Sequence, residues 1–282
     1  MSWKGELDGI DGTFPTDWPD DAGETLLAIL RDPKAEEAGR QRAAELAGDA
    51  GIIGDELADA LLSIVQNSDE PASLRAASAI ALGPALEMAD MERFEDDFEE
   101  LSISEETFRR IQKSLQQLYN DNGVPKLVRR RVLEAAVRAP QDWHAEAVRE
   151  AYASKDEDWK LTAVFSMGLI PGFEDQILES LKSGNPEIYC EAVRAAGNQE
   201  LAAAWPHVAA LLTSGDAEKG LLLAAIDAAP GLRPDEAGVL LADLIDSDDE
   251  EIAEAAQEAL SLAEALADAG DLELDDDEDD PK

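Results

Sequence analysis

The chain has one cysteine, Cys190, in 282 residues. No intrachain disulfide can form, and a reducing compartment is expected. Aromatic residues make up only 5% of the sequence while hydrophobic residues make up 45%, with Ala dominant. Small side chains let helices approach closely, so this balance favours packed helices. No run of alternating β-branched residues is long enough to make a strand. The richest apolar stretch, Leu221 to Ile226, is too short to span a bilayer. Met1 to Ile10 carry neither the basic nor the apolar region of a signal peptide. A cytoplasmic protein is the expectation.

Basic residues are also scarce: nine Lys and fourteen Arg stand against 64 acids, for a net charge of −41. The stretch from Asp268 to Lys282 holds nine acids and one base, so −33 remains on the rest of the chain. Binding along a nucleic-acid backbone needs clustered cations that replace counterions. A field of this sign opposes that, and opposes an anionic membrane surface equally. Neither nucleic acid nor membrane is an expected partner. Adaptation to high salt and simple solubility both account for such a charge.

What is present is a repeat. Asp156-Glu157-Asp158-Trp159-Lys160-Leu161-Thr162-Ala163-Val164-Phe165-Ser166-Met167-Gly168 returns as Asn185 to Gly197, and again as Asp249 to Ser261. Gly168 and Gly197 are 29 residues apart, and Ser261 lies 64 beyond Gly197. A period of this length is the mark of a solenoid. The unit reads as an N-capping Asp, a branched apolar residue, often a base, then Ala-Ala-x-Ala-Leu-Gly. The Asp accepts orphan N–H groups at a helix start; the apolar positions share one face; the Gly is expected to end the helix in a left-handed cap.

These residues resemble the second helix of HEAT repeats, in the short form also found in phycobilisome-lyase-like proteins. The segments Pro125 to Arg131 and Ala139 to His144, with the acidic tail, are similar to bacterial HEAT-repeat proteins. The resemblance covers roughly Glu24 to Ala267. It implies an all-α, right-handed α-solenoid of about seven helix pairs that binds a protein or peptide along a concave face lined by second helices. The expected organisation is an extended N-terminal arm over residues 1–21, a solenoid over 22–267 with an acidic insertion near 84–103, and a disordered acidic tail over 268–282. In the arm, Trp3, Phe14 and Trp18 are expected to cover the first repeat. In the insertion, Phe94, Phe98 and Leu101 suit a short amphipathic helix, and Ser102 with Glu105 is spaced as a capping box.

Catalysis has little support. His144 and His207 lie in different repeats, and His144-Ala145-Glu146 lacks the His-Glu pairs that the resemblance attaches to HEAT-type deoxyhypusine hydroxylases. It also lacks the spacing of a zinc helix. Asp8 to Gly12 lacks the spaced oxygens of a calcium loop. Cys190 has no nearby activator. No catalytic, metal or cofactor site is expected, and the expectation is a non-enzymatic scaffold. A second reading, implied by the lyase-type resemblance, is the handling of a cofactor or client near Trp143 or Trp159. A third is an acidic mimic of nucleic acid.

One cluster of charge stands out. Eleven bases and ten acids lie between Ser104 and Lys160, so this region is nearly neutral within an acidic chain. Arg40, Arg75, Arg129 and Lys160 occupy the base position of the repeat, and the resemblance implies that they stack against the inter-helix Asp of a neighbouring repeat, with Asp69, Asp156 and Asp216 as the candidates. The remaining candidates for partner binding are Arg109, Arg110, Lys113, Lys126, Arg130 and Arg131. They form a possible docking patch for an acidic segment or for the chain's own tail; ordinary pairing, as of Glu134 with Arg130 or Arg138, is the competing reading. Trp143 is the candidate anchor, with a helix staple as its alternative.

Overall fold

The structure, a computed structural model, describes residues 3–13, 17–49, 53–92 and 103–277. Phe14, Phe94, Phe98, Leu101 and Ser102 lie outside the described residues, as do residues 278–282 of the acidic tail. The chain is all-α, with no strand among the described residues, and each part is a stack of helix pairs as in an α-solenoid. It divides into two compact units, 1–147 and 148–282.

Unit 1 opens with α1 (Lys4–Asp8), then α2 (Ala22–Arg31) with α3 (Glu37–Asp49) and α4 (Asp55–Gln66) with α5 (Ala72–Ala81). An extra helix α6 (Gly83–Glu92) precedes the pair α7 (Glu105–Asn120) and α8 (Lys126–Ala136). The second helices α3, α5 and α8 pack in succession. The division between units falls within α9 (His144–Ala153). Unit 2 continues with α10 (Glu157–Met167), α11 (Glu174–Ser180), α12 (Pro186–Asn198), α13 (Trp205–Leu212), α14 (Lys219–Leu232), α15 (Pro234–Leu241) and α16 (Glu250–Asp277). Here α10, α12, α14 and α16 form the succession.

Three departures from the sequence reading have clear causes. The arm is not extended throughout: α1 places Leu7 and Ile10 in buried positions, and the Trp3 indole donates to Asp32 at 3.1 Å. The insertion begins as a helix, because Pro84 sits in the first turn of α6, where a missing N–H is tolerated. The last helix runs past Ala267 to Asp277, through Leu, Glu and Ala residues with no proline before Pro281.

The capping Asp of the repeat does what its position requires. Asp156 accepts the N–H of Asp158 at 3.1 Å, Asn185 that of Glu187 at 2.9 Å and Asp249 that of Glu251 at 3.2 Å. At α7 the cap is Ser104, which accepts from Thr107, not Ser102. The repeat's terminal glycine has a different role from the one its position suggests. Gly168 caps α10 in a right-handed conformation and Gly197 lies inside α12. A β-carbon on Gly197 would stand 2.6 Å from Cα and Cβ of Ala228, one on Gly168 3.1 Å from Cα of Ala195, and one on Gly48 2.9 Å from Cα of Ala81. In each case the glycine lets one second helix lie against an alanine of the next.

Unit 1 carries a second repeated device that closes the first helix of each pair. Asp32, Asn67 and Asp121 follow α2, α4 and α7 and accept the N–H two residues on, at 2.8–3.0 Å. Eight residues after each comes an arginine whose Nε donates to the carbonyl of the helix's penultimate residue: Arg40 to Leu30 at 3.2 Å, Arg75 to Val65 at 2.9 Å and Arg129 to Tyr119 at 2.7 Å. These carbonyls are otherwise orphaned at a helix end. The ladder expected of these bases is met in kind at Arg40, whose partner is Glu70, the acid beside Asp69 in the next pair, and each of the three arginines also bonds a carbonyl of its own pair. Arg40 grips Glu70 with two bonds of 2.8 Å, and Lys160 lies over the Tyr152 ring. In unit 2, Ser154, Ser183, Ser214 and Ser247 take the turn position, each accepting the N–H two residues on. Because Arg75 is buried, Arg75→Met should lower the unfolding free energy by about 1–3 kcal/mol. The exposed Arg109→Met should change it by under about 0.5 kcal/mol. Urea denaturation of the two variants checks the contrast.

Candidate functional site

The face of unit 1 formed by second helices carries a groove of ≈ 500 Å³. Gln41, Glu45 and Gly48 contribute from α3; Ser73, Ala76, Ala77, Ile80 and Ala81 from α5; and Leu127 and Arg131 from α8. Pro84 of α6 and Arg138 just beyond α8 complete it. Its floor is made of small residues because this is where Gly48 draws α3 against Ala81 of α5. Ile80 and Leu127 keep 38% and 39% of their surface exposed. Two branched apolar side chains thus stand open above a floor of alanines.

The charged residues around the groove are arranged in pairs. Glu45 meets Arg42 at 3.2 Å and accepts the Gln41 amide at 3.1 Å. Arg131 pairs with Glu134, and Arg138 with Glu87 of α6. Arg138 reaches that position across Gly83, where a β-carbon would come within 2.7 Å of its Cδ. Glu37 accepts the Ser73 hydroxyl at 2.7 Å.

The candidate residues do not converge on one surface. Arg130 is 6% exposed and cannot line a docking patch. Arg109 pairs with Glu105 one turn earlier on the exposed side of α7. Arg110 pairs with Asp59 of α4 and donates to Thr107. Lys113 and Lys126 are exposed, on α7 and α8 respectively. Only Arg131 lines the groove. Glu134 pairs with Arg131. Trp143 is half-buried, with its ring 5.3 Å from that of Tyr119 and 4.0 Å from that of His144, and its N–H donates to Gln141. Those contacts hold the entry to α9. The groove is lined by neither Trp143 nor Trp159.

His144 is 1% exposed. Its Nδ1 accepts the N–H of Gln141 at 2.9 Å, and its Nε2 is buried without a hydrogen-bond partner. Burial holds its pKa at about 4. Cys190 is half-buried, and burial pushes its thiol up, away from the reactive thiolate. Among the described residues, no group of three or more His, Cys, Asp or Glu is placed to hold a metal ion. Among the same residues, no helix is long and apolar enough to cross a membrane.

The groove was missed from the sequence because its lining comes from three separate repeats. The available signal was Ile80 and Leu127, apolar residues standing off the repeat's buried positions.

No family model matches the chain, and no curated protein matches it in sequence. Solved structures do. Escherichia coli YibA is 16% identical with a TM-score of 0.44, over 92% of each chain. Human deoxyhypusine hydroxylase, solved with glycerol, is 15% identical with a TM-score of 0.42, over 89% of this chain and 87% of its own. An engineered protein is 17% identical with a TM-score of 0.40, over 95% and 87%. The hydroxylase is an enzyme, so the expectation that this chain is not one is withdrawn. At that likeness, no activity passes to this chain.

Proposed function

We propose that the chain is a protein-binding scaffold whose unit 1 groove receives a segment of a partner protein, in a cytoplasmic setting that suits its lone Cys190. The observation that carries this reading is the pair of exposed side chains, Ile80 and Leu127, above the small-residue floor. Three stacked helices at 8–10 Å spacing make a path of about 16–20 Å. About six residues of extended chain cover that distance. The bare alanines let a backbone come close, and the two apolar side chains offer a central contact of the kind that dominates binding energy.

Selecting random twelve-residue peptides by display against the whole chain tests the reading. Enriched peptides should lose about tenfold or more in affinity on the Ile80→Gln/Leu127→Gln variant, since removing part of two apolar contacts costs on the order of 1–2 kcal/mol. Both positions are exposed, so circular dichroism and melting should be unchanged. Peptides that bind the variant and the parent chain equally would contradict the reading.

A further inference from the structure

We propose that the segment received by this groove is basic at its flanks and apolar at its centre. This inference rests on the groove reading above and adds the chemistry of the partner. The sequence alone suggested the reverse, an acidic partner drawn to surplus arginines. The structure shows Arg131 and Arg138 already held by Glu134 and Glu87, and Arg42 by Glu45. An acidic segment would have to break those pairs and approach against a net charge of −41.

Glu37 is placed differently. It lies one turn before Gln41 on α3, accepts only a hydroxyl from Ser73, and among the described residues has no ion pair. Ser73 lines the groove, so Glu37 stands at its edge as an acceptor for a cation on a chain whose middle rests on Ile80 and Leu127, and Glu45, though paired with Arg42, lies on the same helix. The acidity of the chain as a whole draws such a segment in and speeds encounter, and the groove sets where it stops.

Three synthetic twelve-residue peptides test this by fluorescence anisotropy on the full chain. They share a Leu-Val-Leu centre and differ only in flanks of Lys, Gln or Glu. At low salt the Lys-flanked peptide should bind at least about tenfold tighter than the Gln-flanked one, and the Glu-flanked one more weakly than both. The advantage should shrink as salt shortens the range of the attraction. Glu37→Gln/Glu45→Gln should weaken the Lys-flanked peptide severalfold and leave the Gln-flanked one unchanged, while Ile80→Gln/Leu127→Gln should weaken both.

Equal affinities for the three peptides, or tightest binding of the Glu-flanked one, would overturn the proposal. So would Lys-flanked binding that ignores both variant pairs, which is attraction to the acidic surface at large. Failure of the groove reading has a separate signature: a Gln-flanked peptide indifferent to Ile80→Gln/Leu127→Gln, or no binding of any of the three.

Discussion

Replacing Gly197 by alanine should destabilise the protein by about 1–3 kcal/mol, the cost of forcing an extra methyl group into a filled contact. Helix propensity alone gives the opposite sign, because alanine within a helix is favoured over glycine by up to about 1 kcal/mol. The geometry decides between them. The new β-carbon would stand 2.6 Å from both Cα and Cβ of Ala228, so two helix backbones must move apart. Gly238 in α15 supplies the contrast: its β-carbon would meet only Leu260 Cδ1, at 3.7 Å. There Gly238→Ala should be neutral or stabilising. Pairing Gly197→Ala with Ala228→Gly should recover part of the loss, since the second substitution vacates the site the first one fills. A thermodynamic cycle over the four chains measures that coupling, and additive effects would show that the two helices do not meet at this point.

The pH dependence of stability should carry a large contribution from His144. Its folded pKa of about 4 lies below the ordinary value of 6.5 because burial disfavours the imidazolium. Above pH 6.5 the ring is neutral in both states and contributes nothing. As pH falls from 6.5 to about 4 the unfolded chain takes up a proton and the folded chain does not. Stability then drops by about 1.4 kcal/mol per pH unit, on the order of 3 kcal/mol across the window. Acidification also protonates carboxylates and relieves repulsion in a chain of −41, so the wild-type curve alone mixes two effects of opposite sign. The difference between wild type and His144→Asn isolates the histidine, because asparagine does not titrate and its carbonyl oxygen can accept the Gln141 N–H in place of Nδ1. That difference should fall steadily between pH 6.5 and 4 and stay level above 7. A flat difference would mean that the ring reaches water or a hydrogen-bond partner.

Local chemistry was the legible part of this chain. The helix pairs and the caps at Asp156, Asn185 and Asp249 follow from side chains acting on their own backbone, and such effects survive any arrangement of neighbours. The roles set by a neighbouring helix were not legible. Gly197 looks like a helix terminator until Ala228 is seen against it. Arg130 looks like part of a basic patch in the run Lys126 to Arg131. Yet α8 lies between α5 and α7, so its buried stripe is wide enough to take in Arg130 and Glu134 together with Val128 and Val132. The arginines at 40, 75 and 129 were seen as a repeated position, but each also bonds a carbonyl ten residues earlier, which no side-chain pattern reports. The groove needs three repeats at once.

The binding surface is tested most directly by methyl NMR of the full chain titrated with the Lys-flanked peptide. Ile80 and Leu127 should shift progressively and saturate, together with Ala76, Ala77 and Ala81 of the same groove. Val239, Leu262 and Leu266, which are also exposed but belong to unit 2, should stay in place. Saturating shifts at those three residues with Ile80 and Leu127 unmoved would contradict the assignment of the groove.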